Sequence, residues 1–263
     1  MGIINVSPDS FSSDGTHTVE EAVTLAERFE EYGADILDIG GESTRPGASP
    51  ISTDEEITRV VPAIEQIARK TALPLSVDTY KPEVALAAIS AGAHIINDIW
   101  GLKHSFKLAD VATSENTPII LTSNQRNDEG AHISDAIVSV FLDLGSSIEL
   151  AIEHGIPWEN IIIDPGIGFG KTTEQNLSIL RHLERLKPLG RPILVGTSRK
   201  SMIGHVLNLP PEERIEGTAA TVAISIANGA DIVRVHDVYQ MKRLCQMSDA
   251  IVRGAYGEKG TSH

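Results

Sequence analysis

Five short apolar runs in this sequence end on side chains able to do chemistry. Ser76-Val77-Asp78-Thr79, Asn97-Asp98 and Asp164-Pro165-Gly166 close three of them. Gly196-Thr197-Ser198-Arg199-Lys200 follows a fourth, and Arg234-Val235-His236-Asp237 completes the fifth. The carboxylates of Asp78 and Asp164, with the amide of Asn97, suit a ligand rich in ring N–H and amino groups. A second set is cationic: Arg45, Lys200, Arg234 and His236. Arginine offers phosphate oxygens a planar fork, and lysine a point charge. Arg234 interrupts the apolar stretch Ile232-Val233-Arg234-Val235, and His236, two residues on, shares its face of an extended chain. Asn5 ends the first run with a hard carbonyl oxygen suited to Mg²⁺, which keeps several waters and takes its other ligands from phosphate and one or two protein groups. Asp9 or Asp14 could contribute through water.

Each residue alone has a plainer reading. Asp78 or Asp98 can be a helix N-cap, a loop Arg or Lys a solvated cation, His236 a satisfied structural histidine, and Asn5 a turn former. Five such ends on one rim would not share those explanations, so the elements that position them decide the matter. Apolar, β-branched runs at 2–6, 35–39, 73–77, 94–97, 118–122, 160–164, 192–196 and 231–235 read as strands buried on both faces. Amphipathic segments at 19–32, 54–70, 82–91, 106–115, 135–154, 173–187, 212–228 and 238–254 read as helices between them. Several stop at a glycine, as in Tyr32-Gly33-Ala34-Asp35 and Asn228-Gly229-Ala230-Asp231. Eight units of this kind predict an α/β fold, a single-domain TIM (β/α)8 barrel over residues 1–263, rather than an open doubly wound sheet. Active sites of such barrels lie at the strand C-termini, where the long polar segments 7–18, 40–53, 123–134 and 165–172 also fall.

Composition narrows the partners. With 41% hydrophobic residues over 263 positions the chain can bury a core, yet its apolar runs stay far below the ~20 residues of a membrane span. A net charge of −14 and only 4% aromatics exclude a nucleic-acid surface, although a local cationic cluster can still hold a small anion. The first residues lack the basic and extended apolar regions of a secretory leader, and Cys245 is the lone cysteine, so cytoplasmic location is expected. Gly40-Gly41-Glu42-Ser43-Thr44-Arg45-Pro46-Gly47 suits a mobile lid. Gly166-Ile167-Gly168-Phe169-Gly170-Lys171 lacks the GxxxxGK[ST] spacing and is not a P-loop.

Taken in order, the segments resemble the dihydropteroate synthase family of the pterin-binding barrel superfamily. The matching stretches are Met1-Gly2-Ile3-Ile4-Asn5-Val6-Ser7-Pro8-Asp9-Ser10-Phe11, Asp38-Ile39-Gly40-Gly41-Glu42-Ser43-Thr44-Arg45-Pro46-Gly47, Ser76-Val77-Asp78-Thr79 and Ile96-Asn97-Asp98. Asp164-Pro165-Gly166-Ile167-Gly168-Phe169-Gly170-Lys171, Gly196-Thr197-Ser198-Arg199-Lys200-Ser201 and the segment from Gly229 to Asp237 follow. The resemblance implies a transferase of folate biosynthesis that is a sulfonamide target. In that reaction para-aminobenzoate displaces pyrophosphate from 6-hydroxymethyl-7,8-dihydropterin diphosphate, giving 7,8-dihydropteroate.

By resemblance, Asp78, Asn97, Asp164 and Lys200 would hold the pterin, and Arg234 and His236 the diphosphate. Asn5 would sit at the diphosphate and ligate Mg²⁺. Phe11, Thr44, Arg45, Pro46, Phe169 and Ser198 would shape the aminobenzoate pocket. Catalysis would fall to Asp164, Lys200, Arg234 and His236, through an SN1-like departure of pyrophosphate. A homodimer is implied as well. Two stretches depart from the family pattern. Leu121-Thr122-Ser123-Asn124-Gln125 places Ser123 where members carry a histidine, and Phe11-Ser12-Ser13-Asp14-Gly15 moves or loses the loop aspartate. Two other readings stand beside this one. A non-catalytic pterin-binding paralogue would bind without turnover, and a methyltetrahydrofolate-dependent corrinoid methyltransferase would not need the diphosphate cations.

Overall fold

A computed structural model describes residues 1–6, 15–16, 18–43, 49–125 and 135–254. Its strands are β1 (Gly2–Val6), β2 (Gly15–Thr16), β3 (Leu37–Gly40), β4 (Leu75–Asp78), β5 (Ile95–Asp98), β6 (Ile119–Thr122), β7 (Ile161–Asp164), β8 (Leu194–Val195) and β9 (Ile232–Val233). Its α-helices are α1 (Val19–Glu31), α2 (Thr53–Ala68), α3 (Pro82–Ser90), α4 (Lys107–Ser114), α5 (Ala136–Glu153), α6 (Thr173–Arg181), α7 (Ser201–Leu207), α8 (Ile215–Ala227) and α9 (Val238–Val252). All strand pairings are parallel. β1 and β3 to β7 pair in chain order, β2 flanks β1, and β8 pairs with β9. Single bridges at Ile163↔Ile193 and Gly2↔Val235 join the β8–β9 pair to β7 and to β1, closing the ring. The expected (β/α)8 barrel is the observed fold, in one domain.

The strands alternate as a closed barrel requires. Outward residues such as Leu37, Ile39, Leu75 and Val77 pack with Val60, Ile64 and Ile67 of α2. Ile96, Ile119, Leu121, Ile161 and Ile163 pack with helices α4 to α6 on the other side. Inward residues Ile95, Ile120 and Leu194, with Ile36, Ile162 and Ile232, fill the lower interior. Helix starts follow their sequence signals. Thr18 and Ser52 accept hydrogen bonds from Glu21 N and Glu55 N, and Thr172 with Gln175 forms a capping box on α6. Gly229, which follows α8, takes a φ of +105°.

Two helical expectations differ from the structure. The segment 173–187 is not one helix: α6 stops at Arg181, and a 3₁₀ turn runs from Leu183 to Leu189. Pro188 lies in that turn, where its missing N–H and its ring oppose continued α-helix. The single helix expected after β8 is preceded by α7, seven residues long and too short for its periodicity to show.

Candidate active site

Five inward side chains above the apolar plug form a charged cluster. Asp38 lies in the middle of β3, fully buried, because register sets it beside Ser76 on one neighbour and Ile3 on the other. Arg234, just beyond β9, reaches across the barrel. Its Nε donates to Asp38 Oδ2 at 2.6 Å and its Nη2 to Asp78 Oδ2 at 2.7 Å. Asn97, paired with Asp78 in register, donates its amide to Asp38 Oδ2 at 3.2 Å. Burial pushes the Asp78 carboxyl up to about 7, with Arg234 opposing the rise and Asp38 adding to it. Asp98 points the other way. Its carboxylate accepts from Trp100 N at 2.9 Å and Leu102 N at 2.6 Å, closing the turn that follows β5; it caps no helix, since α4 begins only at Lys107.

Asp164 ends β7 and accepts from Gly166 N at 2.8 Å. Burial raises its pKa, while that hydrogen bond, Lys200, Arg234 and Lys171 pull it down. Lys200 and Arg234 thus each act electrostatically on both Asp78 and Asp164. One field joins the two carboxylates. The Lys200 ammonium stands 4.4 Å from the centre of the Phe169 ring. His236 Nδ1 lies 3.0 Å from Ser198 Oγ, and its backbone N–H donates to the same oxygen at 3.2 Å. Arg199 is held by Asp237 through two hydrogen bonds, at 3.1 and 2.6 Å, and its main chain takes a φ of +58°. That strained turn delivers Lys200 to the cap of α7. Asn5 lies one residue from the end of β1, beside Gly40, and its main-chain carbonyl, not its side chain, accepts from Thr16 Oγ1 at 3.0 Å.

A model of the family described as pterin binding enzyme matches residues 1–236. The chain is 51% identical to a dihydropteroate synthase from Bacillus subtilis (strain 168), over 96% of this chain and 88% of that one. The chain belongs to the dihydropteroate synthase family. Among solved dihydropteroate synthases, that of Xanthomonas albilineans in complex with 7,8-dihydropteroate superposes with a TM-score of 0.86 at 41% identity, covering 97% of this chain and 93% of that one. The Yersinia pestis dihydropteroate synthase in a sulfonamide drug complex gives 0.91 at 39% identity, over 97% and 94%.

Of the residues expected from the dihydropteroate synthase pattern, Asp78, Asn97, Asp164, Lys200, Arg234, His236, Ser198, Phe169 and Asn5 all lie on the barrel rim where strands end. Phe11, Thr44, Arg45 and Pro46, like Asp9 and Asp14, lie outside the described residues. Ser123 is fully buried, its hydroxyl without a hydrogen-bond partner among the described residues. Two residues escaped sequence reasoning. Asp38 holds Arg234 and Asn97 together, and its signal was a carboxylate inside the apolar run Leu37-Asp38-Ile39, where burial demands a partner. Lys171 is the second. It ends the glycine loop and is half-buried, its Nζ donating to the carbonyls of Ser123, Gly166 and Phe169.

Proposed function

We propose that the chain condenses 6-hydroxymethyl-7,8-dihydropterin diphosphate with para-aminobenzoate, releasing pyrophosphate, through the cluster around Arg234. The observation that carries this reading is Arg234 spanning the barrel interior between Asp38 and Asp78, with Asn97 bonded to the same Asp38 carboxylate. Asp78, Asn97 and Asp164 would accept from the pterin ring, and Lys200 would bind beside them. Arg234 uses its Nε and Nη2 on Asp38 and Asp78, so a diphosphate oxygen would meet the Nη1 side, with His236 next to it. Phe169 and Ser198, joined by Phe11, Thr44, Arg45 and Pro46, would shape the aminobenzoate pocket.

Breaking the C–O bond to diphosphate leaves positive charge on the pterin methylene, and a negative Asp164 would stabilise it. Arg234 and His236 would stabilise the departing anion, and the aniline nitrogen would then bond to the methylene and lose its proton. That order of events is the SN1-like course. Asn5 supplies one hard oxygen at the end of β1, and among the described residues no group of three His, Cys, Asp or Glu could hold a metal. This donor set fits Mg²⁺ carried with the diphosphate, its other ligands being phosphate oxygens and water. When bound, the ion would neutralise charge on the leaving group.

The remaining parts of the reading concern setting. Exposed Leu177, Val206, Leu207, Ile224, Met247 and Ile251 on α6 to α9 support a homodimer through that side. Among the described residues no helix is long and apolar enough to cross a membrane, and the lone Cys245 fits a reducing cytoplasm. The test is pyrophosphate release with pterin diphosphate and Mg²⁺. Release that requires para-aminobenzoate is expected, and Asp164→Asn should slow it by about 10²–10³-fold. Tight pterin binding without release would instead assign the chain to a non-catalytic paralogue, and full turnover by the Asn variant would remove the electrostatic role of Asp164.

A further inference from the structure

Lys171 has no part in the reaction as described, yet its half-buried side chain lies where two halves of the site meet. Its Nζ donates to Ser123 O at 2.7 Å, Gly166 O at 3.1 Å and Phe169 O at 3.3 Å. Ser123 extends β6, whereas Gly166 and Phe169 belong to the loop that leaves β7. That loop is pressed onto the β6 end. Ser123 N donates to Asp164 O at 2.9 Å, and Gly166, at a φ of +67°, leaves no room for a side chain, since a Cβ there would meet Ser123 O at 1.9 Å. Asp164 anchors the same loop through Gly166 N. One amine therefore ties together the backbone beside the pterin carboxylate and the backbone of the aminobenzoate-pocket ring.

We propose that Lys171 is a positioning residue for the transfer reaction, setting Asp164 and Phe169 relative to each other without touching substrate. The proposal rests on the assignment of those two residues to the two pockets. Groups facing the amine are Asp164 from β7, Asp143 from α5, Lys103 beyond β5 and Lys200 beyond β8. Burial brings Lys171 down to about 7, against the pull of the two aspartates. A neutral amine donates two hydrogen bonds rather than three. The longest, to Phe169 O, is the one lost as pH rises through neutrality.

The test compares wild type, Lys171→Met, and a chemically restored amine. The last uses Lys171→Cys in a Cys245→Ser background, alkylated with 2-bromoethylamine while unfolded and then refolded. The same protein alkylated with 2-bromoethanol gives a neutral side chain of equal length. The Met variant should lose about 10²-fold in kcat/KM, the scale set by a displacement of about 1 Å in a reacting group. Its Kd for pteroic acid should rise while its folded fraction stays near one.

The aminoethyl derivative should recover both quantities and the hydroxyethyl one should not. In wild type, KM for para-aminobenzoate should climb above neutral pH, and the Met variant should lack that limb. Unchanged kcat/KM and Kd per folded molecule in the Met variant would overturn the proposal, as would equal rescue by the hydroxyethyl side chain. If Met prevents folding, the two alkylated proteins still decide. Wild type that never releases pyrophosphate with para-aminobenzoate would fail the reaction itself, and the pteroic acid Kd then tests Lys171 alone.

Discussion

Two storeys of the same barrel interior contrast sharply, although residues only two apart on the same strands build both. The lower storey is Ile95, Ile120 and Leu194 with Ile36, Ile162 and Ile232, an apolar plug. The upper storey is Asp38, Asp78, Asn97, Asp164 and Arg234, buried to a similar degree and held by ion pairs and hydrogen bonds. Dispersion and transfer from water hold the first together without reference to partners. The second holds only while every charge keeps its counterpart. Packing that needs no particular partner and pairing that is ready for chemistry are thereby placed on different layers of one set of strands.

The contrast can be broken most severely at Arg234. Arg234→Met strands two carboxylates in the interior and should cost about 3–5 kcal/mol of stability, measured by urea unfolding. Turnover per folded molecule should also fall at least about 10²-fold. Leu194→Ala cuts the plug instead. It should cost about 2–5 kcal/mol through its cavity while leaving Kd for pteroic acid unchanged, and a rise in that Kd would show that the storeys are mechanically coupled. The smallest effect sharpens the comparison through pH. Asp78 in the folded chain sits at about 7, above the 3.8 of an ordinary aspartate. Its contribution to stability is therefore fully present below about 3.8 and is lost as pH rises toward about 7. Asp78→Asn should flatten that part of the curve of urea midpoint against pH, whereas Leu194→Ala should shift the whole curve without changing its slope.

Periodicity made the barrel legible, because buried parallel strands announce themselves as apolar runs and several of the amphipathic segments between them stop at a glycine. The rim was legible for a related reason. Asp78, Asn97, Asp164 and Arg234 are polar at places where an undedicated strand would be apolar. Asp38 fell inside a strand rather than at its end, so only the three-dimensional fact that Arg234 crosses the barrel gives it a purpose. Lys171 was hidden differently. On a loop, a lysine followed by Thr172 and Thr173 looks solvated, and nothing local tells that its amine turns inward onto three carbonyls. The relation of Ser198 to His236, 38 residues apart in sequence, likewise belongs to tertiary structure. Local pattern reports what a residue is able to do, and contact across strands decides whom it does it with.

The ring is fastened unevenly. β8 and β9 form a two-strand ribbon secured to its neighbours by one bridge on each edge, while β1 and β3 to β7 share continuous ladders. Lys200, Arg234 and His236 ride on or just beyond that ribbon, and Asp38, Asp78, Asn97 and Asp164 ride on the ladder. Amide protons of the ribbon should consequently exchange with deuterium ahead of those in the ladder. Each such opening parts cations from carboxylates, so an anionic ligand that bridges the two would act as the missing rivet, slowing exchange at residues it never touches.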